Sequence, residues 1–498
     1  MKIVIAGGGT SAWMSAAALA KTFPHYDITV IKGGDPIGVG ESTTPAINQY
    51  LKYMGIDDVT FLREARATYK SSSRFVDFCE KGQVFHYPNG QTVTIAMTDT
   101  DFQEWMVAKA YGQDIPPFAD VFMPFVTVAE EGKMPLDHPH LSPYELSKDR
   151  SFHMDGGAFS AYLEKTFCEN VKVIDSDVKS VSYDGSGVSF VTTERGDTDL
   201  RAPKVHADLF LDCTGQKSML GGAQSSWIDY DTILTDTALV VKKEYEDKDK
   251  EMLPYTNAQA TSAGWKWTIP TWDYVSKGYV YSSKHQDTDS AFEEFGETDV
   301  TEIHFRNGRY EEAWVGNCVK IGLSYGFIEP LESTSLFNTH HGILALIDTL
   351  SDMWNYNPGQ FERDIYNHNM REHLDGWKEF VEAHYYYSSR RDTPFWREVT
   401  DEIQYKTVDV QSGVATHEFV KFQMTSDDPV PHDQTPITFI LAGSEYTNIN
   451  KRRYAYHNYP QLVSRDTVEM WQHQYNMRKQ LARQMPTMHK YLQDTVFS

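Results

Sequence analysis

Lys2-Ile-Val-Ile-Ala6, then Gly7-Gly-Gly-Thr-Ser-Ala12, then an Ala-rich run from Trp13 to Lys21 follow one another without a gap. That order leaves the chain few ways to begin folding. The first run is short, apolar and β-branched, as a strand covered on both faces must be. Asp27-Ile-Thr-Val-Ile31 repeats the composition after the helix. The product is a β-α-β unit whose turn carries Gly7, Gly9 and Ala12 in the spacing G-x-G-x-x-G/A. The first glycine makes the tight turn, the second lets a ligand approach the backbone, and the alanine packs the helix close to the strands. Gly8, Thr10 and Ser11 complete a turn whose amides would face a dinucleotide pyrophosphate at a helix N-terminus. Glycine spacing alone is a weak signal; its place between a strand and a helix gives it meaning. An acid normally ends the second strand and bonds the ribose, but here that position is Lys32, so a ribose contact is expected to be lost or rebuilt.

A chain of 498 residues can bury a large core and more than one subdomain. Its formal charge of −24 argues against a nucleic-acid partner, because proteins that bind phosphate backbones are usually basic. Cys79, Cys168, Cys213 and Cys318 are scattered, with neither metal-binding spacing nor the density of a disulfide framework, and no metal is expected. No basic leader with an apolar run stands at the N-terminus, and no apolar stretch is long enough to span a bilayer. The reading is a reducing, cytoplasmic setting with no membrane partner.

Residues 51–150 are mixed, with a helix expected around Val59 to Tyr69. Residues 171–212 alternate like strands, and Ala207 to Gly215 reads as a buried strand ending in a glycine turn. Strand signals continue at Ala238 to Lys242, Gly278 to Ser282 and Trp314 to Gly322. Beyond about residue 345 the texture is helical and charged, to a last helix near Val468 to Gln484. Strand, glycine turn, helix, distant meander and late glycine turn together resemble the FAD-binding fold of the aromatic hydroxylases. The expected class is therefore α/β (α+β), with a discontinuous, largely helical substrate subdomain. Residues 1–345 would form the FAD module, with 51–150 an inserted segment contributing to the substrate site, and 346–498 the helical part.

Two further motifs narrow the reading. Gly264-Trp-Lys-Trp-Thr-Ile-Pro270 puts two indoles on one face of an extended segment that a proline ends. By itself this is a core strand with two large anchors. Glu329-Pro-Leu-Glu-Ser-Thr-Ser335 follows it, and an acid at a helix start is a sound partner for the macrodipole. Together with the N-terminal fingerprint, these stretches resemble the flavin-dependent tryptophan halogenases from residue 1 to about Trp396.

That resemblance implies reduced FAD and a halide ion as reactants, with oxygen, and hypohalous acid as the agent that reaches a small electron-rich aromatic or indole. It implies Lys70 as the group that captures the acid, although a lysine in Ala67-Thr-Tyr-Lys70 would otherwise read as a solvated helix charge. Glu332 would polarise the acid or take the proton released on ring substitution. Gly38, Val39, Gly40, Glu41 and Ser42 would form a loop over the flavin ring. Val178 would touch the adenine side, and Leu323, Ser333 and Leu336 would complete the cofactor contacts. Thr334 and Ser335 would hold the halide; the family has glycine where Ser335 stands, so the serine adds a hydroxyl donor and bulk. Since a larger, less strongly hydrated anion costs less to desolvate, bromide and iodide are expected to serve as well as chloride. No second glycine fingerprint follows a later strand, so a separate flavin reductase would supply reduced FAD. A homodimer is a further expectation. The alternatives from other classes are a flavin-dependent aromatic hydroxylase, which needs no halogen carrier, and a non-catalytic flavin-binding protein.

The resemblance thins on the substrate side. His86, in Phe85-His-Tyr-Pro88, falls where the family sandwiches an indole, with Pro88 at the second wall position. Ala383 to Trp396 matches closely, in a composition that suits packing as well as function. The Pro-rich loop Met424 to Gln434 replaces residues that clamp the amino-acid group of tryptophan, so simple indoles, phenols or anilines are expected to compete with free tryptophan.

Overall fold

The computed structural model describes residues 1–33, 40–89, 101–110, 112–194, 204–351, 358–405, 436–444 and 465–498. They group into two compact units, each assembled from three stretches of chain: 1–67, 154–236 and 304–378 in the first, 68–153, 237–303 and 379–498 in the second. The unit boundaries thus fall elsewhere than at residue 345, which lies inside the helix Thr334–Ser351.

The first unit is built on a six-stranded sheet with Lys2–Ala6 at its centre. Asp27–Ile31 and Leu209–Asp212 flank it in parallel, with Ala6 opposite Ile31 and Asp212. Ile3, Val4, Ile5 and Ala6 are all fully buried, which is why the strand reads as an unbroken apolar run. Helix Thr10–Thr22 is apolar on most of its circumference and packs between helices Gly156–Phe167 and Thr334–Ser351. A three-stranded meander, Val178–Asp184, Gly187–Thr193 and Lys204–Val205, sets Val178, Val188 and Val191 against Val4, Ala6 and Ile31. The stretch expected as one strand from Trp314 is a hairpin instead. Trp314–Val315 turns at Gly316, which has φ of +55°, and returns as Cys318–Lys320.

The second unit is built on a seven-stranded sheet. The tryptophan strand Gly264–Pro270 lies between Val275–Tyr281 and Tyr255–Ala260. Ser72–Val76 joins Tyr255–Ala260 in parallel, and Val84–Pro88 closes the edge. Trp265 and Trp267 are both buried, so the motif is a core strand. Gly278, opposite Trp267, leaves the room its indole occupies: a Cβ there would lie 2.1 Å from the ring.

The polar and aromatic run from Ala383 to Trp396 resolves into a clasp. Ser388 Oγ donates to the Phe78 carbonyl, Ser389 N and Oγ to Cys79 O, and Arg390 and Trp396 both donate to Thr261 O. Its polar side chains go to backbone carbonyls and to the carboxylates of Asp392 and Asp401, which is a packing role.

The expected helix from Val59 to Tyr69 is corrected. Asp57 caps a helix covering only Asp58–Glu64, Arg66 turns the chain with φ of +50°, and Thr68–Lys70 is a strand. Lys70 is therefore a buried strand residue, only 1% exposed, and not a solvated helix charge. The helix expected near Val468 to Gln484 spans Arg465–Ala482, and it is not the last, since Met488–Thr495 follows it. Among the described residues no helix is long and apolar enough to cross a membrane.

Candidate functional site

The nucleotide cradle of the first unit follows from its glycines. Gly7 has φ of +132°, and a Cβ on it would sit 2.3 Å from the Cys213 carbonyl oxygen, so only glycine fits. Among the described residues, Gly9 precedes helix Thr10–Thr22 with no side-chain cap, and nothing lies within 4 Å of where its Cβ would be. Nothing among the described residues thus blocks the approach of an anion to the backbone at Gly9, ahead of the helix. Ala12 is fully buried under the same helix. Lys32 turns to Glu164, at 3.0 Å, and lies over the Trp13 ring; it is committed to neighbours rather than to a ribose.

Gly40–Ser42 is a short strand next to this cradle. Thr10 Oγ1 donates to Glu41 Oε1 at 3.1 Å, and Gly156 makes room for that carboxyl: a Cβ there would be 1.8 Å from it. Burial pushes the Glu41 carboxyl up to about 7, with the Thr10 hydrogen bond opposing and nearby Asp155 assisting. At neutral pH Glu41 is therefore partly protonated, and an anion at the helix start meets less repulsion than an ordinary glutamate would exert. Gly38 and Val39 lie outside the described residues.

A second helix start faces the same region of the unit. Gly322, with φ of +66°, is wedged between Ser11 Oγ and Thr339 Oγ1, which are themselves 3.4 Å apart. Leu323 is half-buried beside it and Leu336 is buried. Ser324 Oγ and Asn338 Oδ1 are buried without a hydrogen-bond partner among the described residues. Orphaned polar atoms beside an uncapped helix and a glycine turn fit a polar planar cofactor such as FAD. Val178 lies at the start of the meander, where it is buried against the parallel sheet.

Glu332 is buried, 3% exposed, at the end of a short 3₁₀ turn Pro330–Glu332. Ser333 then adopts φ of +60° and ψ of 34°, a conformation unfavourable for a non-glycine residue, and Thr334 starts the long helix. Strain of this kind collects at functional sites. Thr334 is buried and Ser335 half-buried. Glu329, to which its sequence motif gives no role, anchors the turn: Thr235 Oγ1 donates to its carboxylate, and its amide donates to Asn307 Oδ1 at 2.8 Å.

The second unit holds the remaining candidates. Ser72, Arg74, His86, Pro88, Tyr255 and Asn257 share one face of the sheet, as their register requires. His86 is 4% exposed and both of its ring nitrogens are engaged, Nδ1 with Ser72 Oγ at 2.8 Å and Nε2 with Glu130 at 2.9 Å. Tyr255 meets the ring edge-on. Arg74 grips the same carboxylate through Nε at 2.7 Å and Nη2 at 3.0 Å. Burial works to raise the Glu130 carboxyl, but the hydrogen bonds from His86 and Arg74 outweigh it and hold it near 2. Pro88 is buried beside His86 on this face. Glu130 and Arg74 were not legible as site residues, since Glu130 reaches His86 from 44 positions away.

A carboxylate held down in this way contributes stability above its ordinary value near 4.5 and loses it as pH falls toward 2. Glu130→Gln is expected to flatten that acid limb relative to wild type. A wild-type-minus-variant stability difference that stays constant from pH 5 to pH 2 would count against the arrangement.

Lys70 pairs with Ser151 in the strand register, and Thr68 with His153. Burial pushes the His153 ring well below its ordinary value, and the Lys70 charge adds to the effect. Lys70 belongs to the second unit and Glu332 to the first. The Met424 to Gln434 loop lies outside the described residues. Among the described residues, no cluster of three or more His, Cys, Asp or Glu could hold a metal.

A glycine turn feeding a helix in a parallel sheet, with buried polar atoms that have no hydrogen-bond partner among the described residues, fits the scaffold of a dinucleotide-binding enzyme. The model of the tryptophan halogenase family matches residues 2–427, and the chain belongs to that family. It is 30% identical over 451 residues to the tryptophan 7-halogenase RebH of Lentzea aerocolonigenes, covering 83% of this chain and 82% of that one. Among solved structures, VirX1 in its apo form is similar at a TM-score of 0.87 and 30% identity, covering 100% of this chain and 99% of the other. BrvH, a flavin-dependent halogenase from Brevundimonas sp. BAL3, is similar at 0.82 and 28%, with 99% and 98% covered.

Proposed function

We propose that this chain is a flavin-dependent halogenase that receives reduced FAD from a separate reductase and halogenates a small electron-rich aromatic or indole. The observation that carries the reading is Lys70, a lysine 1% exposed beside a histidine kept neutral. Lysine is almost never buried so fully in a role that solvent could serve, which makes it a functional candidate. Reduced FAD, when bound, would supply with oxygen the two-electron oxidation of halide to hypohalous acid. Gly7, Gly8, Gly9 and Thr10 would hold its pyrophosphate on backbone amides, and partly protonated Glu41 would tolerate that charge. Ser42, Val178, Leu323, Ser333 and Leu336 contribute further contacts. Thr334 and Ser335 hold the halide at the start of their helix, where the macrodipole favours an anion.

Lys70 captures the hypohalous acid by hydrogen bonding, or by N-halogenation in which the halogen–oxygen bond breaks and water leaves, and so keeps it from methionine and cysteine side chains. Glu332 polarises the halogen donor or accepts the proton lost from the ring. His86, locked in orientation by Ser72 and Glu130, offers a flat wall with Pro88 for an aromatic substrate. The hydroxyl of Ser335 admits bromide and iodide alongside chloride, since larger and less strongly hydrated anions cost less to desolvate.

Purified protein, reductase, FAD and each halide in turn, incubated with a panel of indoles, phenols and anilines, should give products carrying the mass of one halogen. Without the reductase the protein should not oxidise NADH or NADPH. Products heavier by one oxygen and independent of halide would establish a hydroxylase instead, and rapid nicotinamide oxidation by the protein alone would refute the two-component reading.

A further inference from the structure

The lysine strand is fastened to the tryptophan strand by a chain of side chains built around the neutral His153 ring. Thr68 Oγ1 donates to the Pro270 carbonyl at 2.6 Å, and His153 Nδ1 lies 3.3 Å from the same hydroxyl. On the other side of the ring, His153 Nε2 is 2.9 Å from Thr256 Oγ1. His153 and Thr68 are fully buried, and Thr256 is 5% exposed.

The geometry selects one tautomer. A carbonyl can only accept, so the Thr68 proton goes to Pro270, and the Thr68 oxygen is left to accept from Nδ1–H. Nε2 is then the unprotonated nitrogen and accepts from Thr256. Both ring nitrogens are satisfied in the neutral form, and a second proton on Nε2 would require the Thr256 hydroxyl to turn and accept instead of donating. Burial and the Lys70 charge disfavour that proton as well.

The strand is also held at its other end. Ser151 Oγ donates to the Lys70 carbonyl at 3.1 Å and receives a bond from Asn89 Nδ2 at 2.6 Å. Thr68 and Lys70 are two residues apart on one strand, and so present their side chains to the same face. Fixing Thr68 and the Lys70 carbonyl fixes the base from which the long lysine side chain extends. The Pro270 carbonyl ends the Trp-x-Trp-x-Ile-Pro strand, which gives that motif a mechanical link to the lysine.

We propose that His153 is a positioning residue: the chain Pro270–Thr68–His153–Thr256 holds Lys70 where it captures hypohalous acid, so that breaking the chain releases the acid without slowing its formation. This rests on the assignment of Lys70 as the capturing group.

The test compares His153→Leu, His153→Asn, Thr68→Val and Lys70→Ala in the holoenzyme with reductase and bromide. Each is scored for the rate of flavin reoxidation and for halogenated product per flavin consumed. Escaped hypohalous acid is trapped with a small thioether added in excess. Losing a buried hydrogen-bond partner is expected to lower coupling about tenfold in His153→Leu and about threefold in Thr68→Val, with trapped acid rising to match and flavin reoxidation unchanged. His153→Asn keeps an N–H donor near the Nδ1 position and should recover most of the coupling. A general loss of structure would slow flavin reoxidation too and would not be rescued by asparagine. Coupling within twofold of wild type in folded His153→Leu overturns the proposal. Should that variant not fold, unchanged coupling in Thr68→Val overturns it equally. If Lys70→Ala itself keeps full coupling, the assignment of the lysine fails; if Lys70→Ala uncouples and the histidine and threonine variants do not, only the positioning role fails.

Discussion

Lys70→Ala is expected to abolish halogenated product while reduced flavin is still consumed by oxygen at close to the wild-type rate. On the proposed reading the lysine acts after the oxidant has formed, so its loss would interrupt transfer rather than oxidation. Removing a preorganised donor from a closed site typically costs on the order of 10²–10³ in rate, and a residue that also carries the reacting halogen should cost more. Lys70 is 1% exposed on a strand pinned through Thr68 and its own carbonyl, so alanine removes the ammonium without an obvious substitute nearby in the strand. Glu332→Gln keeps the shape of a residue that is 3% exposed and removes its charge, and should lower product sharply but less completely. Product is followed by mass spectrometry and flavin reoxidation by absorbance. Wild-type halogenation by Lys70→Ala would remove this residue from the mechanism.

How far the sequence alone could be read depends on the range of the interaction concerned. The N-terminal β-α-β unit was legible because its causes are local. Ile3 to Ala6 are apolar throughout as both faces are covered, and Gly7 is glycine because its φ and the Cys213 carbonyl admit nothing else. The two tryptophans were legible as core because alternation and a closing proline are properties of the segment itself. Lys70 was misplaced on a helix because Val59, Phe61, Leu62 and Tyr69 keep a helical rhythm. What ends the helix is the left-handed turn at Arg66 and the pairing of Thr68–Lys70 with a strand reaching Ser151, a partner from far along the chain. The same distance hid the environment of His86, whose orientation depends on Glu130, and that of Lys70, whose neighbour His153 shows itself only in the register. Candidate residues could be picked from motifs, but the groups that orient them could not, because no spacing rule connects residues that meet across a sheet.

Trp267→Ala is expected to destabilise the second unit strongly, and Gly278 explains how to prove the cause. Trp267 is buried, and its indole lies in the space a side chain at position 278 would need, 2.1 Å from where a Cβ there would sit. Deleting a buried tryptophan costs about 3–5 kcal/mol, a large share of the roughly 5–15 kcal/mol that holds most domains folded. Gly278→Val in the wild-type background forces the indole from its site and should cost at least about 1–3 kcal/mol. Combined with Trp267→Ala, the same valine enters the vacated volume. The double variant should therefore be more stable than the sum of the two losses predicts, by roughly 0.5–3 kcal/mol of coupling. Urea unfolding followed by far-ultraviolet circular dichroism gives all three values against wild type. Strict additivity would show that the glycine and the indole do not share that space. Because Pro270 closes the same strand and its carbonyl accepts from Thr68, the single variant should also lose halogenation coupling, and the double variant should regain part of it as the strand is restored.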